Sequence, residues 1–166
     1  MYNYIGDNMK DIIAILTENK ETISTMESCT GGYIVNAITN IEGSSEVLKF
    51  SAVTYSNEYK IKLGVSKDLI DKYSVYSKEV ANDMSKTISN YTNSDYGIGV
   101  TGKLNRIDPH NPYGKDNIVY VSIYSKKENK YYNGTVECTE ESRDKNKELV
   151  LKTIIYLLTN ILNGGI

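Results

Sequence analysis

The chain has 166 residues, 40% hydrophobic and 24% charged, with a net charge of -2 at neutral pH; this suits one globular domain over residues 1–166 and leaves no basic footprint for nucleic acid. Two cysteines, Cys29 and Cys138, and one histidine, His110, are too few for a disulfide scaffold or a metal-ligand cluster, so no metal is expected. No apolar run reaches the ~20 residues of a membrane-spanning helix, and MYNYIGDNMK is no leader peptide, so a cytoplasmic protein with no membrane partner is expected.

Residues 9–19 read as an amphipathic helix, with Met9, Ile12, Ile13 and Leu16 at helical spacing. Residues 21–26 alternate and are β-branched, so they read as a short strand. A helix over 30–40 follows, with Tyr33, Ile34, Ala37 and Ile38 on one face. Residues 50–55 form a second strand, and 57–63 a short helix ended by Gly64. Residues 77–91 form a long helix with Val80, Met84 and Ile88 as its buried stripe. A third strand over 95–101 contains Gly97 and Gly99, which suit a close approach by another backbone or a ligand. Residues 117–124 and 131–138 suggest an antiparallel hairpin. A final helix spans 142–162, with Ser142 as N-cap and Gly164 and Gly165 as its stop. Early alternation of strand and helix predicts an α/β domain around a mixed sheet. Between its ordered parts lies KLNRIDPHNPYGKDN, 103–117, which holds both prolines and reads as a flexible loop.

Few residues offer chemistry. His110 lies in a turn-rich loop and reads as a solvated residue. GIGVTGKL has the spacing of a phosphate-binding loop, but Leu104 stands where Ser or Thr should hold magnesium, and NRIDPHNP cannot start the required helix. ESCTGG, 27–32, sits where a strand gives way to a helix, at the strand's C-terminal end, where open α/β sheets bind ligands. A helix N-terminus there could hold a phosphate or an oxyanion. Taken alone, the stretch is equally a helix cap or a turn presenting Ser28. A serine nucleophile needs a base. YSNEYK, 55–60, is a second such junction. If Ser56 or Asn57 caps its helix, Lys60 falls in the first turn near Tyr55, where dipole and burial would lower its pKa. Lys62 points to the opposite side. On its own, Lys60 is simply a surface lysine.

MESCTGG, TNIEGSS, VTYSNEYKIKLGV, YSVYSKEVA, DYGIGVTG and ESRD occur in this order, and the chain resembles the CinA C-terminal domain family from about residue 9 to 162. The resemblance implies a three-layer α/β/α domain with a mixed, mostly parallel sheet. It further implies deamidation of nicotinamide mononucleotide to nicotinate mononucleotide, releasing ammonia, as in pyridine nucleotide salvage. It implies Ser28 as nucleophile, Lys60 as base and Tyr55 as an aid to proton transfer. Cys29, Thr30, Gly31, Gly32, Asn57, Thr101, Gly102 and Arg143 would contact substrate, with Arg143 suited to its phosphate. No cofactor is implied; the partners implied are a small-molecule mononucleotide and a second copy in a homodimer. The chain departs from the family in three places. TGKLNRIDPHNP replaces the usual T-G-I-A-G-P-x-G-G, GKDNI replaces K-P-V-G-T, and VYSK replaces A-V-S-E, bringing in Tyr76 and Lys78. A catalytically inactive or altered-specificity module that binds a nucleotide or a protein is therefore the alternative.

Overall fold

A computed structural model of the protein describes residues 8–164. Residues 1–7 of the N-terminal stretch, and Gly165 of the expected helix stop, lie outside the described residues.

Helix α1, Met9–Asn19, starts where the Asn8 side chain accepts the Asp11 amide, and the predicted stripe of Met9, Ile12, Ile13 and Leu16 is buried. Strand β1, Ile23–Glu27, is buried along its whole length. Helix α2 is Tyr33–Thr39, shorter than the sequence predicts. The reason lies in the two glycines before it: Gly31 and Gly32 have φ of 62° and 97°, a left-handed conformation that turns the chain but cannot continue a helix. A single 3-10 turn, Ser44–Glu46, leads into β2, Leu48–Val53. Helix α3, Asn57–Leu63, is ended by Gly64 as predicted, and of the two expected cap candidates it is Ser56 that caps it. Helix α4, Lys67–Tyr73, was not predicted; seven mostly polar residues give little periodicity, although Ser66 caps it through the Leu69 amide.

Helix α5, Lys78–Thr92, runs against β3, Tyr96–Gly102. The two lie so close that a Cβ on Gly97 would sit 2.0 Å from the Ser85 carbonyl oxygen, and one on Gly99 would sit 2.4 Å from that of Ala81. The close approach expected at these glycines is therefore that of a helix backbone. Strands β4, Ile118–Ser125, and β5, Lys130–Glu137, form the predicted hairpin. Helix α6, Arg143–Leu162, closes the chain. Ser142 stands at its N-cap position, but its hydroxyl caps nothing. Instead Asn146 reaches back to both the amide and the carbonyl of Glu140.

The sheet order is β2-β1-β3-β4-β5. β1 pairs in parallel with β2 and β3, while β4 is antiparallel to both β3 and β5. Four strands thus point one way and only β4 opposes them. One face carries α1, α2 and α6 over a continuous apolar cluster that includes Ile12, Ile34, Ile98, Val121 and Ile154. The other carries α5 and α4 over Met26, Ile70, Val80, Met84 and Ile88. This is the three-layer α/β/α domain expected. Among the described residues, no helix is long and apolar enough to cross a membrane.

Because β2, β1, β3 and β5 are co-directional, the turns after them open at one edge of the sheet. β4 begins at that same edge, so loop 103–117 hangs over it.

Candidate active site

At this edge a cleft of about 530 Å³ is lined by Ser28, Tyr55, Asn57, Lys60, Tyr76 and Arg143, and roofed by residues from 103–111. Ser28 leaves the end of β1 on a tight turn, in which the Gly31 amide donates to the Ser28 carbonyl at 3.0 Å. Its hydroxyl oxygen lies 3.0 Å from Lys60 Nζ. Lys60 comes from α3, which starts where parallel β2 ends, so the two junctions predicted from sequence do meet.

Lys60 is only 1% exposed. Its second partner is the Thr54 carbonyl, 2.7 Å from Nζ. Among the described residues no carboxylate pairs with it, and burial lowers its pKa from 10.5 to about 8, with the nearby Cys29 opposing. At such a value, about a quarter of Lys60 is neutral at pH 7.5. The neutral amine has the lone pair needed to accept the Ser28 proton while one N–H still donates to Thr54. The neighbouring thiol offers no rival nucleophile. Burial, with Cys138 adding to it, raises Cys29 to about 12, and its side chain belongs to the apolar core. Lys62 points outward and pairs with Glu58 at 2.6 Å.

The other expected site residues divide. Cys29, Asn57, Gly102 and Arg143 line the cleft. Arg143 forms no ion pair among the described residues. Tyr55 stands at the mouth, 67% exposed, and its hydroxyl makes no hydrogen bond among the described residues. Thr30, Gly31, Gly32 and Thr101 do not line the cleft. Thr30 Oγ1 donates to Glu27 at 2.6 Å, the two glycines shape the turn, and Thr101 Oγ1 ties β3 to the Val75 carbonyl at 2.8 Å. The helix N-terminus expected to receive a phosphate or oxyanion is occupied from within. The Glu27 carboxylate, wholly buried, accepts the amides of Ile34 and Val35, each at 3.0 Å. Sequence reasoning missed Glu27; the available signal was an acidic residue at the end of a strand, ISTME, that carries no other charge.

It also missed how the loop is held. The Tyr76 hydroxyl donates to Asp108, as does Asn111 at 3.0 Å, and Asn57 donates to Asn111 at 3.3 Å. Burial and this carboxylate raise the Tyr76 pKa, while the same bond holds Asp108 below the usual carboxylate range. Lys103 is buried, pairs with Asp116 at 3.0 Å, and places Nζ over the Tyr76 ring, 5.0 Å from its centre. Residues 97–102 lie within β3 and no helix follows Lys103, so GIGVTGKL is not a phosphate-binding loop. His110 is exposed but borders the cleft. Among the described residues, no group of His, Cys, Asp and Glu could hold a metal ion.

Comparison with known proteins agrees with this architecture. A family model described as the CinA C-terminal domain matches residues 7–162. A CinA-like protein of Endomicrobium trichonymphae is 42% identical over 104 residues, covering 61% of this chain and 24% of its own. The chain spans 24% to 31% of the length of the curated relatives it matches. Among solved structures, a competence/damage inducible protein, CihA, from Agrobacterium tumefaciens superposes with a TM-score of 0.81 at 25% identity, covering 98% of this chain and 99% of that one. A CinA superfamily protein from Klebsiella pneumoniae gives a TM-score of 0.81 at 19% identity, over 93% and 94% of the two chains, a likeness of fold.

Proposed function

The chain belongs to the CinA C-terminal domain family, and from that premise we propose that it is a metal-independent serine amidohydrolase that deamidates nicotinamide mononucleotide. The observation that carries this reading is the buried Ser28–Lys60 pair: a hydroxyl 3.0 Å from an amine whose pKa is lowered to about 8.

In this scheme, neutral Lys60 takes the Ser28 proton as Oγ attacks the carboxamide carbon. The amides of Ile34 and Val35 are engaged by Glu27 and that of Gly31 by the Ser28 carbonyl, so the developing oxyanion would fall to backbone N–H groups where the turn borders the cleft, at Ser28 and Cys29. The Lys60 ammonium then protonates the departing nitrogen, ammonia leaves, and an ester on Ser28 remains. Water attacks that ester while Lys60 takes its proton; Ser28 recovers a proton from Lys60 and the carboxylate product leaves. Arg143, at the cleft wall and in no ion pair among the described residues, would meet the substrate phosphate. Tyr55 at the mouth would relay protons only on closing over bound substrate.

Incubating the purified protein with the mononucleotide and measuring ammonia and nicotinate mononucleotide tests this. Product formation that Ser28→Ala abolishes is the expected result; product formation that survives the substitution removes Ser28 from the mechanism. One observation favours a second reading. The cleft roof is built from residues that replace the family's glycine-rich run, among them Arg106, Asp108 and Asn111. A module that binds a nucleotide without turning it over would show ligand-induced thermal stabilisation and no ammonia.

A further inference from the structure

We infer that Glu27 is a positioning residue that sets both halves of the Ser28–Lys60 pair, an inference that rests on the nucleophile and base roles proposed above. Its side chain governs the nucleophile. Oε1 accepts the Thr30 hydroxyl at 2.6 Å and the Ile34 amide at 3.0 Å, and Oε2 accepts the Val35 amide at 3.0 Å. Thr30 precedes the two left-handed glycines and the two amides follow them, so the carboxylate holds the turn from both sides. Its backbone governs the base. The Glu27 carbonyl accepts the Thr54 amide at 2.8 Å and the Thr54 hydroxyl at 3.4 Å. The Thr54 carbonyl in turn holds Lys60 Nζ at 2.7 Å. One residue therefore anchors the turn that carries Ser28 and the strand end that holds Lys60.

A simpler role as a helix cap accounts for the bonds to Ile34 and Val35. It does not account for the bond to Thr30, which lies in the turn before the helix. Nor does it account for the carboxylate being fully buried beside the nucleophile, where a cap could serve from the surface. A glutamine at this position can replace one oxygen only. Its NH2 group would face a donor already there, the turn would open, and Lys60 would gain water.

The test uses a probe that needs no knowledge of the substrate. Phenylmethanesulfonyl fluoride sulfonylates a serine oxygen as fluoride leaves, the serine proton going to the base. Its rate on the full chain is followed by intact mass against pH, with the modified residue mapped by peptide mass. Wild type should label at Ser28 with a midpoint near the Lys60 value of about 8. Glu27→Gln should label at least about tenfold more slowly at pH 7.5, with its midpoint moved upward as Lys60 becomes hydrated. Thr30→Val should change rate and midpoint in the same direction but less, and Thr30→Ser should restore both. Variants that melt earlier yet label at the wild-type rate with the same midpoint would overturn the inference and leave the dyad standing. Should Glu27→Gln fail to fold, the Thr30 pair decides. A wild type that never labels at Ser28 overturns the dyad itself and the inference with it.

Discussion

The two walls of the cleft are built on opposite plans. The wall that carries Ser28 and Lys60 is dry: both side chains, with Glu27 and Thr54 behind them, are buried. Each polar atom there has a partner supplied by a strand end or a helix start. The wall formed by 103–117 is more exposed, and its cleft side is tied across by side chains, through Tyr76, Asp108, Asn111 and Asn57, with Arg106 and His110 exposed at the rim. Burial is what turns a lysine into a base, so that function must sit inside the layers. Selecting a substrate needs only a shaped, polar rim, which a loop provides.

The largest expected effect is at the dry wall. Ser28→Ala should lower turnover by about 10⁴-fold or more, with the fold intact by circular dichroism. Lys60→Met should cost about 10²–10⁴-fold, and it separates activity from stability. The folded pKa of Lys60, about 8, lies below its ordinary 10.5. Below pH 8 both states are charged, and the folded state bears the full penalty. Between pH 8 and 10.5 the unfolded chain holds the extra proton, so stability rises with pH, and above 10.5 the penalty is gone. Wild type should therefore gain about 3 kcal/mol on Lys60→Met between pH 7 and 11, as read by urea unfolding. An unchanged difference across that range would mean that Lys60 is not desolvated.

At the more exposed wall the expected effects are smaller and of another kind. Tyr76→Phe or Asp108→Asn should raise KM about 3- to 10-fold and leave kcat within about twofold, since they loosen the roof and not the chemistry. A fall in kcat with KM unchanged would erase the distinction between the walls. Smallest of all is Lys62→Ala, two positions past Lys60 on the same helix. Its pair with Glu58 is open to solvent, so turnover should hold and stability stay within about 0.5 kcal/mol.

Much of the fold could be read in advance because apolar periodicity is written locally. The stripes of α1 and α5, and the Ser56 cap and Gly64 stop of α3, appear in the structure where the sequence places them. The start of α2 was misplaced because helical apolar spacing does not register two glycines held at positive φ. The meeting of Ser28 and Lys60 followed from two strand-to-helix junctions together with parallel strand order. The partners of Thr101 and Lys103 did not, since Val75 and Asp116 have no signature that couples them to distant positions. Glu27 showed only as the one charge on β1; its bonds to Thr30, Ile34 and Val35 depend on how the turn after it folds.

The hairpin that interrupts the parallel run has a consequence beyond geometry. β3 leaves and β4 returns at the same edge, and the Lys103 amide seals the base of the loop on the Ile118 carbonyl at 3.0 Å. That bond closes the loop at its base whatever lies between, so its length and sequence can change without shifting strand register. Doubling such a loop costs only about 0.6 kcal/mol in closure entropy. Segment 103–117 is thus an exchangeable cassette: a lineage can try new substrates by rewriting it, and a protein engineer can graft a relative's loop at the same two residues.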